Sequence, residues 1–173
     1  DLRQVIVQRL GHLVQIAVHG LQLLFRVPLQ HLLGSWEFMG LPFIVSPDVL
    51  IPRDDTMAVV ELALSAELPP QPRVLDLCTG SGCIGLALAS RISDARVTLA
   101  DLSPNALKVA KKNAADLRLS ARVSCMTADA LSPAPRVLGQ YDLIVSNPPY
   151  VTWGEMETLQ PSVRDYEPHM ALD

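Results

Sequence analysis

The sequence predicts an α/β fold built on a parallel sheet, and three observations carry that prediction. From Arg73 onward, short apolar runs alternate with helical patterns, ending in a fourth apolar run, Tyr141 to Ser146. A glycine-bearing turn, Asp76-Leu77-Cys78-Thr79-Gly80-Ser81-Gly82, joins the first run to the first helix. The tetrapeptide Asn147-Pro148-Pro149-Tyr150 directly follows the fourth run. The strand-helix order argues for helices on both faces of the sheet. The chain has 173 residues, about one domain, and 49% are apolar, enough for a core.

Residues 5 to 25 place Leu10, Leu13, Val14, Ala17, Leu21, Leu24 and Phe25 at helical spacing. They predict one helix, or two broken near Gly20. Pro28 restarts the chain. Gly34 to Leu50 reads as a hairpin: Trp36 to Met39, a turn at Gly40, then Leu41 to Val45. Pro47 and Pro52 bracket a loop. Asp54 or Asp55 is expected to cap a helix running to about Leu68, with Ala58, Val59, Leu62 and Ala63 on its apolar side. Pro69 to Pro72 is a short stiff linker.

Beyond the linker, strands are predicted at Arg73 to Leu77, Arg96 to Ala100, Arg122 to Met126 and Asp142 to Val145. Helices are predicted at Gly82 to Arg91 and Pro104 to Leu117, the second with proline in its first turn. Pro133 to Gly139 is a turn region.

Composition narrows the function. Net charge is −4 with no long basic run, which argues against broad binding to a phosphate backbone. Cys78, Cys83 and Cys125 are odd in number and lack paired metal-ligand spacing, so a reducing, cytoplasmic setting is expected. Cys125 reads as a small core residue. His12, His19, His31 and His169 have no acid or cysteine at metal spacing, so no metal is expected. Arg9, His12, Gln15, His19 and Gln22 interrupt the first 30 residues, and a membrane span needs about 20 mostly apolar ones. Lys108, Lys111 and Lys112 read as a solvated helix face. With no initiator methionine, the chain is expected to be a fragment at its N-terminus.

Gly80 and Gly82 let the backbone come close to a ligand, and the helix behind them offers unpaired N–H groups. Cys78 occupies the first glycine of a dinucleotide fingerprint and the third-glycine spacing is not met, so a dinucleotide is not favoured. Gly85 falls on the helix, where it would aid close packing. Asp101 ends the second strand, placed to accept hydrogen bonds from a ribose diol. Asp129 and Ala130 follow the third strand, a position that would border the adenine of a nucleoside ligand in such a fold; Asp129 reads equally as a turn-capping or helix-capping residue.

Asn147 to Tyr150 is a poor string for packing. An amide, two prolines and an aromatic at a strand's carboxyl end suit a pocket that grips a flat, nitrogen-bearing group. The alternative is an Asx-turn, a Pro-Pro break and a packing tyrosine.

The glycine turn resembles the S-adenosylmethionine loop of class I methyltransferases, with cysteine at one glycine. Asn147 to Tyr150 resembles the motif of methyltransferases acting on amide or amino nitrogens. Pro28 to Gly34, Glu37-Phe38, Gly40 to Phe43, Ile51 to Thr56, Ser162 to Pro168 and Ala171 to Asp173 look like the HemK/PrmC family. Those enzymes methylate the glutamine of the Gly-Gly-Gln loop in peptide chain release factors. The resemblance covers residues 26 to 173 and implies a Rossmann-like class I methyltransferase sheet. It implies that Cys78, Thr79, Gly80, Ser81, Gly82, Asp101, Ala130 and Asn147 contact S-adenosylmethionine. It implies that Asn147, Pro148, Pro149 and Tyr150 hold the glutamine, with Asn147, Pro148 and Tyr150 catalytic. Arg53 and Thr56 would lie in a segment closing over the cofactor, or else be a salt-bridged arginine and a helix-start threonine. Asp165 and Glu167 would touch substrate or, the favoured reading, cap a turn.

The expected organisation is an N-terminal helical remnant over 1–34, a hairpin and connecting helix over 35–70, and a cofactor-binding catalytic domain over 71–173. Three departures from the family stand out. Met57 replaces the usual glutamate, residues 1 to 25 fit poorly, and the chain stops at Asp173 where the family continues. The expected C-terminal truncation makes Leu143 to Val145 an unprotected apolar edge and the fragment less stable than a full enzyme, with loss of activity as a further expected consequence. Alternatives are methylation of a ribosomal-protein glutamine, methylation of an adenine amine in nucleic acid, and a non-catalytic remnant. The adenine reading predicts a basic groove and a target-recognition segment, which the chain does not show. The expected partners are release factors, with neither a membrane nor direct nucleic-acid contact.

Overall fold

The structure, a computed structural model, describes Gly20, residues 27–134 and residues 136–173. Apart from Gly20, the helix expected over residues 5 to 25 lies outside the described residues, as do His12 and His19. A short helix, α1 (Leu29–Leu33), ends on Gly34 at φ 70°, the left-handed conformation that glycine adopts without strain. Strands β1 (Ser35–Phe38) and β2 (Leu41–Ile44) follow as an antiparallel pair. Met39 and Gly40 both take positive φ, 54° and 78°, as a two-residue hairpin turn demands. Phe38 and Phe43 are buried and meet edge to face, centroids 6.2 Å apart.

Asp54–Thr56 forms one turn of 3-10 helix that leads into α2 (Met57–Leu64). Here the structure corrects the expectation. No side chain caps either helix start, so neither Asp54 nor Asp55 serves as the expected cap. The inward stripe is Thr56, Val60 and Ala63, while Leu62 is 74% exposed. That spacing of four and three is a helix face, and it turns Ala58 outward. The helix stops four residues early, where the Ser65 hydroxyl donates to the Leu62 carbonyl at 2.7 Å and competes with the helical ladder.

The remaining elements agree with the sequence to within a residue or so: β3 (Arg73–Leu77), α3 (Cys83–Arg91), β4 (Arg96–Asp101), α4 (Pro104–Asp116), β5 (Val123–Thr127) and β6 (Leu143–Ser146). Two short helices, α5 (Trp153–Met156) and α6 (Pro161–Arg164), follow, and then a 3-10 turn at His169–Ala171. The four strands β3 to β6 pair in parallel in the order β5-β4-β3-β6.

This order decides what covers each face. The chain steps the same way from β3 to β4 to β5, so right-handed crossovers put α3 and α4 on one face. There Val74, Val97, Leu99 and Val145 share a core with α2, α3, α4 and the hairpin phenylalanines. The step from β5 back past β3 to β6 runs the other way, and its connection crosses the opposite face. That connection is a loop with a 3-10 turn at Arg136–Leu138, packing Leu138 and Tyr141 on Leu75, Ala100 and Ala128. The expectation of helices on both faces is therefore corrected: among the described residues, no α-helix joins this second cluster. Cys125 is half-buried against the main core, and Lys108, Lys111 and Lys112 are exposed. Among the described residues no helix is long and apolar enough to cross a membrane.

Candidate functional site

The carboxyl ends of the four parallel strands open into a cavity of about 440 Å³. Strand pairing brings its two chemical motifs together. Leu77, before the glycine turn, is the register partner of Ser146, before the tetrapeptide. The Ser146 hydroxyl donates to the Leu77 carbonyl at 2.7 Å, pinning the two strand ends.

The glycine turn is wound tightly. Cys78, Gly80 and Gly82 take φ values of 58°, 55° and 85°. A Cβ on Gly80 would meet nothing within 4 Å, so this backbone faces open space. Gly82 sits behind the turn as the N-cap of α3, packed toward Leu86, Leu99 and Ala110. Gly85 is the tightest point. A Cβ there would lie 2.4 Å from Leu99 Cδ2 and 3.0 Å from Asp76 Cβ. The close packing expected of it is present.

Asp76 anchors the turn from below. Its Oδ2 accepts from the Thr79 hydroxyl at 2.6 Å and from Gly85 N–H at 2.8 Å. The side chain is fully buried, and its Oδ1 has no partner. Burial pushes its pKa up to about 6, against the lowering by those two hydrogen bonds. Burial also raises the thiols of Cys78 and Cys83, the second to about 12, so both stay protonated at neutral pH.

Asp101 reaches across from β4. Its Oδ2 accepts Gly80 N–H at 2.8 Å and its Oδ1 accepts Ser103 N–H at 2.9 Å. The carboxylate thus braces the glycine turn while keeping acceptor capacity on each oxygen. Asp129 accepts from Leu131 N–H at 2.9 Å and the Ser132 hydroxyl at 2.7 Å. It makes the capping turn and also lines the cavity beside Ala130. Its hydrogen bonds, Ser132 first, lower its pKa.

Of the residues singled out in the sequence, Cys78, Thr79, Gly80 and Ser81 line this cavity, as do Asp101 and Ala130. Asn147, Pro148 and Pro149 line it too. Gly82 and Tyr150 are not on the lining, and Tyr150 is 78% exposed. Asn147 Nδ2 donates to the Thr56 hydroxyl at 3.4 Å.

Two residues that organise the site were not found as such in the sequence. Asn113, 1% exposed on α4, accepts Ile44 N–H at 2.7 Å and donates to the carbonyls of Ile44 and Ser81. It ties the hairpin to the glycine turn. An amide among Ala106, Ala110 and Ala114, the buried stripe of its helix, was the available signal. Glu167 neither caps a turn nor lines the cavity. Its buried carboxylate pairs with Arg53 and accepts Ile51 N–H at 3.1 Å. Arg53 is both salt-bridged and on the lining, and Thr56 both starts α2 and lines the cavity.

The lining carries Asp48, Asp101, Asp129 and Asp173 against one basic residue, Arg53, which is already paired. Such a field disfavours a phosphate-bearing ligand and suits a cationic one. Among the described residues no group of acids, histidines or cysteines could hold a metal ion.

Comparisons with known proteins agree with this architecture. The chain is 48% identical to a release factor glutamine methyltransferase of Geobacter sulfurreducens, over 86% of this chain and 50% of that protein. It is 46% identical to the enzyme of the same name from Chlorobaculum tepidum, over 84% and 52%. The chain therefore spans about half the length of the curated relatives it matches. The solved structure of TYW2 from P. horikoshii in complex with MeSAdo has a TM-score of 0.53 at 19% identity, covering 71% of this chain and 45% of that one, which shows a shared fold. Residues 55–161 match the family described as the methyltransferase small domain, and with a match over more than half its length the chain belongs to that family.

Proposed function

We propose that this chain methylates the side-chain amide nitrogen of the glutamine in the Gly-Gly-Gln loop of peptide chain release factors. The observation that carries the proposal is the juxtaposition of Asn147-Pro148 with the glycine turn around one cavity. The names of its relatives support the same substrate. We take residues 71–173 as the cofactor-binding unit, with residues 35–70 supplying a wall.

S-adenosylmethionine, when bound, supplies a methyl group on a cationic sulfonium. The acid-rich lining fits its positive charges, and the open backbone at Gly80 fits close approach. Cys78 to Ser81 and Ala130 would hold the cofactor, with Gly82 shaping the turn behind them. Asp101 would accept from its hydroxyls.

The amide nitrogen of glutamine is a weak nucleophile because its lone pair is delocalised into the carbonyl. The site must favour a geometry that exposes that pair. Asn147 Oδ1 and the Pro148 carbonyl are two acceptors for the two N–H bonds, and proline carries no competing N–H. The pyrrolidine rings of Pro148 and Pro149 stiffen the pair. Tyr150, exposed at the loop, is free to stack on the arriving planar amide. Catalysis then consists of positioning and exclusion of water. No strong base is needed, because a methylated amide nitrogen readily sheds its extra proton.

Intact-mass analysis of a release factor incubated with this chain and S-adenosylmethionine tests the proposal. A gain of one methyl group is expected, and none when the Gly-Gly-Gln glutamine is replaced. Equal gain on both would overturn the substrate assignment. No gain on either would overturn the activity.

A further inference from the structure

Thr56 is 7% exposed at the start of α2 and lies on the cavity lining. Its backbone N–H donates to the Arg53 carbonyl at 3.1 Å, and Val60 and Ala63 bury the same helix face in the core. The hydroxyl therefore rides on a rigid element. It accepts from Asn147 Nδ2 at 3.4 Å, across 91 residues of sequence. Among the described residues, no other side-chain hydrogen bond is recorded for the Thr56 hydroxyl or the Asn147 amide.

An asparagine amide has an accepting end and a donating end of nearly the same size, and a half-turn about its last bond exchanges them. For methyl transfer to an amide nitrogen only one orientation serves. Oδ1 must meet a substrate N–H; Nδ2 there would set donor against donor. With Oδ1 engaged and water excluded, Nδ2 needs an acceptor of its own, because a buried unpaired donor is costly. The Thr56 hydroxyl is that acceptor.

We propose that Thr56 is a positioning residue: its hydroxyl pairs with Asn147 Nδ2 while Oδ1 engages the substrate nitrogen. This rests on the functional reading above. Thr56 acts through Asn147 and need not touch the transferred methyl group.

The test compares Thr56→Val, which keeps the branched shape and removes the hydroxyl, with Thr56→Ser, which keeps the hydroxyl and removes the methyl. Thr56→Ala removes the hydroxyl if valine is not accommodated. Two readouts are needed. The first is the side-chain amide signal of Asn147 in nitrogen-proton spectra, which requires no turnover. Thr56→Val is expected to move the two amide protons toward the positions of a freely rotating asparagine; Thr56→Ser is expected to leave them in place. The second is steady-state methylation of a release factor. Thr56→Val is expected to lower kcat about tenfold, the loss of one hydrogen bond in the transition state, with KM for both substrates within about twofold. Thr56→Ser is expected to retain kcat.

An unmoved amide signal in Thr56→Val overturns the proposal. So does a raised KM for S-adenosylmethionine with unchanged kcat, which would place Thr56 in cofactor binding. Equal loss in Thr56→Ser and Thr56→Val would mark the residue as structural support only. If the unaltered chain transfers no methyl, the functional reading falls and the role of Thr56 with it, while the amide signal still reports whether the contact exists.

Discussion

The Arg53 guanidinium is paired with the Glu167 carboxylate, two groups 114 positions apart in the chain. Glu167 is buried and Arg53 half-exposed, so the pair joins interior to surface. The same carboxylate accepts Ile51 N–H, which makes Glu167 the tie between the 47–56 wall and the C-terminal residues that line the cavity. Val151 N–H donates to the Leu172 carbonyl at 2.8 Å and holds the far end of that segment to the tetrapeptide loop.

Replacing Glu167 with alanine leaves Ile51 N–H buried without a partner, a cost of about 2 kcal/mol; the half-screened ion pair adds little. A fall in Tm of roughly 4–8 °C is expected for Glu167→Ala. Glu167→Gln keeps an acceptor for Ile51 and should lose less. Melting curves that coincide for the alanine variant and the parent would show that the tie contributes nothing.

Gly85 packs α3 onto β3 and β4 with no room for a side chain. Alanine there would force Leu99 and Asp76 apart, and overpacking of a closed core costs typically 1–3 kcal/mol. The better helix propensity of alanine offsets about 1 kcal/mol of it. Urea unfolding of Gly85→Ala should therefore show a net loss of about 1 kcal/mol, and a gain in stability would contradict the packing described.

Asp76 makes stability depend on pH in an unusual direction for an acid. Its folded pKa, about 6, stands above its ordinary value of 3.8, so the fold prefers the neutral carboxyl. The folded state then holds more protons than the unfolded state between these values. The contribution is full below about pH 4 and is lost as pH rises through about 6, on the order of 3 kcal/mol in all. Asp129 and Glu155, whose pKa values are lowered, act in the opposite sense at lower pH. The difference in unfolding free energy between parent and Asp76→Asn isolates the Asp76 part. It should grow in favour of the variant from pH 4 to pH 7; a difference independent of pH would refute the assignment.

Among the described residues β6 pairs only with β3, which leaves its other side an edge. Ile144 on that strand is 61% exposed. An apolar, uncovered edge templates association with other chains, and an added charge opposes it. Ile144→Lys should slow the growth of light scattering in concentrated solution while leaving Tm within a few degrees. Unchanged scattering would mean that association runs through another surface.

How much the amino-acid sequence determined by itself follows from the range of the forces involved. The strand-helix alternation from Arg73 to Ser146, the turn at Gly40, the glycine turn and the place of Asn147-Pro148-Pro149-Tyr150 after a strand are local matters. They depend on periodicity, on backbone conformations open to few residues, and on residues within a turn of one another. The tertiary structure alone decided which face of α2 is buried, because Val60 is chosen over Leu62 by what lies opposite, not by hydrophobicity. It decided that α2, α3 and α4 share one face of the sheet, because strand order and not strand count sets the side of each crossover. It also decided the site's polar ties: Asn113 to Ile44, Glu167 to Ile51 and Arg53, and Asn147 to Thr56, each spanning at least 69 positions. A buried polar group needs a partner, but its own neighbourhood in sequence does not name that partner; the fold does, by bringing distant backbone and side-chain groups within hydrogen-bonding distance.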